Sequence, residues 1–146
     1  MSFFSSLDIS STALTAQRLR MDVISQNIAN IDTTRTADGS PYKRKTVLFE
    51  EIGDRSSFAS VFKSAMNSEA GYGVRVSKIF EDDRPGPMSY DPTHPDADEN
   101  GYITKPNVNI VEEMVNMISA SRSYEANVTA IGNTKTMISK TLEISK

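Results

Sequence analysis

Seven-residue apolar repeats at both ends of the chain, with nearly all the glycines and prolines gathered between them, constrain the fold more than any other feature. Near the start, Leu7, Leu14, Met21 and Ile28 recur every seventh residue, and Phe3, Ile24 and Ile31 lie three or four residues away. That is the a/d pattern of a coiled-coil seam, although Ser10 and Gln17 interrupt its second row. Near the other end Ile110, Met117, Tyr124, Ile131 and Ile138 form an unbroken row, flanked by Met114, Val128 and Leu142 and weakened at Ser121 and Lys135. Periodicity alone fits any helix that buries one stripe, so the repeats establish two long amphipathic helices without naming what covers them.

Helices of roughly 25 and 35 residues are about 37 and 52 Å long at 1.5 Å per residue, longer than a small globule is wide. The predicted fold class is α+β: two terminal helices pair as an antiparallel coiled coil, and a small, partly β middle region joins them. The terminal helical domain takes 1–31 and 107–146, and the middle region takes 32–106. Asn27, Asn30 and Asp32 crowd the end of the first helix, where short polar side chains compete for backbone groups. Asp38-Gly39 followed by Ser40-Pro41 marks a tight turn.

Strands are predicted over Lys45 to Phe49 and over the run from Val74 to Phe80, in which Val74, Val76 and Lys78 share one face. Phe58, Val61, Phe62, Ala65 and Met66 follow helical spacing within a stretch, 54–70, that reads as a short helix or a flexible arm. Five prolines between Pro85 and Pro106 leave room only for brief strands near Met88–Tyr90 and Tyr102–Thr104. Asn107 or Asn109 caps the last helix, and Glu112 and Glu113 lie in its first turn, where the macrodipole favours negative charge.

Composition mainly excludes. The net charge is −3 and the one basic cluster, Lys43-Arg44-Lys45, sits close to Glu50 and Glu51, which argues against nucleic acid as a partner. The absence of cysteine removes disulfides, thiol nucleophiles and thiolate metal sites. No run approaches 18 apolar residues, so direct membrane insertion is not expected, and Met1-Ser2-Phe3-Phe4 lacks the basic start of a cleavable signal.

Catalytic and metal chemistry find little support. Asp96-x-Asp98-x-Asn100-Gly101 matches the first half of a calcium loop, but Asn107 stands where the bidentate Glu is needed, and prolines deny the flanking helices. An Asx-rich turn accounts for the same residues. His94, the single histidine, sits between prolines with no second ligand and reads as a loop residue. Glu112 and Glu113 are adjacent, project in different directions and read as a solvated first turn rather than an acid/base pair. No catalytic residue, cofactor, metal or small-molecule substrate is therefore expected.

The stretch Asn27-Ile28-Ala29-Asn30-Ile31-Asp32-Thr33 resembles the N-terminal signature of the bacterial flagellar axial proteins, the rod, hook and hook-associated subunits. Asp38 to Lys43, Val47 to Glu50, Gly73 to Val76, Tyr90-Asp91-Pro92, Pro95 to Tyr102 and Pro106 to Asn109 are similar to the proximal rod members of that family. The last helix completes the likeness, from Glu113-Met114-Val115-Asn116 through Ala120 to Asn127 and on to Leu142. It covers nearly the whole chain and departs around Arg55 to Ala70.

The resemblance implies a structural, non-enzymatic subunit of the proximal rod of the flagellar basal body, located in the cell envelope outside the cytoplasmic membrane. It would assemble with copies of itself, other rod subunits and the base-of-rod and export-gate components into a helical tube that transmits torque and encloses the export channel. Its signature residues would be Asn27, Ala29, Asn30 and Thr33. Phe3 and Leu7 resemble the short apolar motif of flagellar type III export substrates, which leave the cytoplasm without a cleaved signal. The assembly seams would be Leu7, Leu14, Met21, Ile24 and Ile28, with Ile110, Met114, Met117, Tyr124, Val128, Ile131, Ile138 and Leu142. A generic coiled-coil tether or adaptor is the alternative from the repeats alone, and a calcium-binding or hydrolytic protein is a third class.

Overall fold

Helix α1 spans Phe3–Ala29 and helix α2 spans Ile110–Ile144, and between them the described residues include four strands: β1 Lys45–Glu51, β2 Val74–Glu81, β3 Met88–Tyr90 and β4 Tyr102–Thr104. This computed structural model describes residues 3–52, 62 and 73–144. The 54–70 stretch, with the helical spacing of Phe58, Val61, Ala65 and Met66, lies outside the described residues except for Phe62, and so does the side chain of Phe3.

Each boundary has a local cause. Asn109 caps α2, its Oδ1 accepting from the N–H groups of Val111 and Glu112 at 3.0 and 3.4 Å, while Glu112 and Glu113 occupy the first turn. At the end of α1 the Asn30 amide donates to the Gln26 carbonyl at 2.8 Å and its Oδ1 accepts from the Thr33 hydroxyl at 3.2 Å. These bonds satisfy groups that a helix end otherwise leaves open. Gly39 takes φ +77° in the predicted Asp38-Gly39 turn, closed by Thr36 N–H donating to Ser40 O at 2.9 Å.

The strands form two separate antiparallel ribbons, β1–β2 and β3–β4. In the first, Lys45 pairs with Glu81 and Glu51 with Val74, with the register shifting between Leu48 and Phe49. This ribbon runs along α1. Lys45 bonds Asn27, the Arg20 guanidinium lies 6.0 Å from the Phe49 ring centroid, and Val74 N–H donates to Thr12 Oγ1 at 3.2 Å. Gly73, at φ +112°, is required there because a Cβ would fall on the Thr12 side chain. In the second ribbon Ile103 is buried, and Tyr90 meets Tyr102 edge-on at 5.2 Å between ring centroids.

The largest packing contact is α1 against α2. Asn27, near the end of α1, meets Glu113, in the first turn of α2, so the helices run antiparallel. Val23, Ile24, Ala16 and Ala120 are buried in the core, joined by the polar Ser10 and Thr134. Alanine and hydroxyl side chains allow close approach but bury little apolar area, so this core is thin.

One side of the α2 stripe differs from the sequence expectation. Met117, Tyr124, Ile131 and Ile138 are half-buried, but the row beside them that faces α1 is Glu113, Ala120, Asn127 and Thr134. Ile110, Met114, Val128 and Leu142, assigned to the seam by apolarity, are exposed. An apolar row can be flanked on either side without changing its period, and the inward pull on Glu113 sets the helix rotation here. On α1 Ile24 is buried, while Leu7, Leu14, Met21 and Ile28 are half-buried.

Candidate functional site

The structure supplies a polar anchor that joins the two helices to the first strand, and an apolar surface left uncovered beside it. The anchor begins at Asn27, which is 1% exposed. Its amide nitrogen donates to Lys45 O at 2.8 Å and to Glu113 Oε2 at 2.9 Å. Its Oδ1 accepts from Lys45 N–H at 2.9 Å and from the Tyr42 hydroxyl at 3.0 Å. Both donors and both acceptor positions of the side chain are therefore used, and any change of residue leaves partners unmatched.

Glu113 is equally buried at 1% exposure and is neutralised by Arg44, whose Nε and Nη2 both donate to Oε1, at 2.8 and 2.6 Å. The same Nη2 reaches Glu112 Oε1 at 3.1 Å. A buried carboxylate is tolerated only when paired and fully hydrogen-bonded, and Glu113 has three donors. The expectation that Glu112 and Glu113 form one solvated turn holds for Glu112 alone; α2 packing on α1 removes Glu113 from water. Burial, followed by the nearby charges of Glu81 and Glu113, raises the Tyr42 pKa, so its phenol remains the donor that Asn27 needs.

The basic cluster is likewise divided among separate partners. Lys43 pairs with Asp83 at 2.5 Å, Arg44 with the glutamates of α2, and Lys45 with Glu81 at 3.6 Å. Close by, Arg84 grips both oxygens of Asp82, and hydrogen bonds from its side chain and backbone lower that carboxyl from 3.8 to about 2.

The loop around His94 is self-satisfied. His94 Nδ1 accepts from Asp96 N–H at 3.1 Å, and Asp96 accepts from the Thr34 hydroxyl at 2.8 Å. Asp98 Oδ1 accepts from the N–H groups of Asn100 and Tyr102, with Gly101 at φ +79°. These carboxylates serve the turn, and among the described residues no group of three or more acidic, histidine or cysteine side chains is placed to hold a metal ion. No helix among the described residues is long and apolar enough to cross a membrane.

The signature positions fall at the junction. Asn27 forms the anchor, Asn30 and Thr33 lock the chain as it leaves α1, and Ala29 is exposed. Sequence reasoning found Asn27 but missed Arg44, Tyr42 and Glu113. A glutamate seven residues before Ala120, on the other flank of the Met117 row from Met114, was the available signal.

Beyond the anchor, the first turns of α2 present Ile110, Val111, Met114, Val115 and Ile118 to solvent, each at least 46% exposed. Val128, Met137, Leu142 and Ile144 continue the exposed apolar residues toward its end. Scattered apolar residues are ordinary on a surface, but five within nine residues form a contiguous patch. The chemistry such an apolar patch offers is docking.

Comparison with known proteins agrees in kind. Residues 7–35 match the family profile described as flagella basal body rod protein, and residues 99–144 match the profile of the flagellar basal body rod FlgEFG protein C-terminal. The chain is 52% identical to the flagellar basal-body rod protein FlgC of Bacillus subtilis (strain 168), covering all of both chains. It is 49% identical to the protein of that name from Borreliella burgdorferi, over 99% of this chain and 98% of the other. Against that of Salmonella typhimurium it is 38% identical over the full length of both.

Proposed function

The chain belongs to the flagellar basal-body rod protein family, and from that premise we infer that it is a structural subunit of the rod, residing in the flagellar basal body. The observation that carries this reading is end-to-end identity with rod proteins, spanning both helices and the middle region. A generic tether or adaptor accounts for the helices alone and leaves the matching middle region unexplained. The family is structural, and the subunit works by assembling with other rod components.

In the finer reading, this subunit occupies the proximal rod. The terminal parts, 1–31 and 107–146, pair as an antiparallel coiled coil in the inner layer of a helical tube around the export channel, and 32–106 lies outside against neighbouring subunits. Copies of this chain, other rod subunits and the base-of-rod and export-gate components are its partners, and torque passes through their contacts. Phe3 and Leu7 act in export by the flagellar type III route. The thin core supports this reading, because a helix pair that buries mainly alanine and hydroxyl side chains gains stability from neighbours.

The test is deletion of the chain in its host, followed by isolation of basal bodies and their image reconstruction. Loss of the rod with restoration by the full-length chain is expected. Intact rods and normal swimming in the deletion strain would reject the assignment.

A further inference from the structure

We propose that the exposed apolar start of α2 receives the C-terminal turns of α2 from a neighbouring rod chain that carries the same C-terminal segment. The proposal rests on the rod-subunit reading and names a partner surface for it. Four observations converge on this occupant.

First, the two exposed helix surfaces differ. Between Asp8 and Gln26 the outward positions of α1 are polar, with Phe4 the exposed apolar side chain at its start, whereas α2 exposes Ile110, Val111, Met114, Val115 and Ile118. The densest run of exposed apolar side chains on the helix pair is therefore the start of α2. Second, the end of α2 lies beyond the described residues of α1. Extending the Asn27–Glu113 register brings Phe3 opposite Met137, so residues 138–144 run on past the described end of α1. On this tail Leu142 and Ile144 are 65% and 86% exposed, and Met137 lies at its base.

Third, the segment 99–144, which matches the rod-protein C-terminal profile, contains both features, so a second copy of this chain brings its own patch and its own tail. Fourth, the helix dipoles agree. The start of α2 bears the positive end of its dipole, with Glu112 held by Arg44, while the tail bears the negative end, with Lys140 held by Glu143. Two α2 helices lying parallel and offset place opposite dipole ends side by side.

The contact joins different surfaces on the two chains, so it repeats head to tail instead of closing into a dimer. The separation of patch and tail along one helix sets the stagger at about 40 Å at 1.5 Å per residue. A patch of five side chains falls short of the roughly 1,000 Å² that a stable pair requires, so the contact forms only beside other rod contacts, and the purified chain stays monomeric.

The experiment places the photo-cross-linking residue p-benzoylphenylalanine at Met114 of the full chain in its host, with Arg18 as the control position. Basal bodies are irradiated and the joined peptides identified by mass spectrometry. The expected product links Met114 to the last turns of a neighbour's C-terminal helix, with no such product from Arg18. Cross-links from incorporated subunits to other segments, or none at all, overturn the proposal while leaving the rod reading intact. Absence of the unmodified chain from basal bodies overturns both.

A second variant separates docking from folding. Val115→Asp leaves the thermal unfolding midpoint of the monomer unchanged, because the side chain is already exposed, yet incorporation into basal bodies falls at least about tenfold through burial of an unpaired charge. Incorporation equal to the unmodified chain overturns the proposal.

Discussion

Removing Arg44 tests the anchor most directly. Arg44→Ala leaves the Glu113 carboxylate buried, with the Asn27 amide as its only remaining donor of three. Breaking a buried pair by removing one partner costs about 3–5 kcal/mol, and the Arg44 side chain is only 15% exposed. Loss of the weaker Arg44–Glu112 contact adds little, because Glu112 is solvated. Against the roughly 5–15 kcal/mol of a typical domain this is a large fraction, and the core here is thin.

Urea unfolding of the purified monomer, followed by far-ultraviolet circular dichroism, gives the change from the midpoint at constant slope. Glu113→Gln is the companion, since it keeps the shape and the acceptor for Asn27 and removes the charge. It should cost about 1.5–3 kcal/mol, the worth of a hydrogen bond to a charged group, because the Gln NH2 then faces the Arg44 donors. Combining Arg44→Met with Glu113→Leu should recover most of the loss, because an apolar pair needs no desolvated charge. An Arg44→Ala midpoint indistinguishable from the unmodified chain would refute the anchor.

Four further outcomes follow from particular contacts. Gly73→Ala should destabilise by about 2 kcal/mol or more, from a positive φ together with collision with Thr12, whereas Gly132→Ala, in open space on α2, should stabilise by about 1 kcal/mol, both read by denaturant unfolding. Ile131→Asp should cost the monomer about 2–4 kcal/mol while Val128→Asp leaves it within about 0.5 kcal/mol, since one side chain is half-buried and the other exposed; equal losses in the same assay would contradict the rotation of α2. For Asp82 the folded carboxyl titrates at about 2, below its ordinary 3.8, so its contribution to stability is complete above pH 3.8 and disappears as pH falls through about 2. Carboxyl-carbon NMR titration should show that midpoint and its return toward 3.8 in Arg84→Ala. Asn109→Ala should cost about 1 kcal/mol in the same unfolding assay through loss of the helix cap, while His94→Ala should be near neutral in swimming and stability.

Sequence by itself determined the features that depend on neighbours along the chain. The asparagines that end α1 and the Asn109 cap of α2 act within one turn, β-branched residues between turn formers mark β1, β2 and β4, and prolines bound β3, so these elements stand where local chemistry placed them. The heptad rows likewise fixed two long amphipathic helices. Only the tertiary structure decided which flank of the α2 row turns inward, because a period of seven is unchanged when the helix rotates about its axis. That rotation is set by Arg44 and Asn27, distant in sequence, drawing Glu113 into a buried pair. Met114 and Val128 therefore face water, although their apolarity alone had placed them in the seam. Polar burial of this kind is illegible in a sequence, since a glutamate becomes a core residue only when the fold delivers its counter-charge.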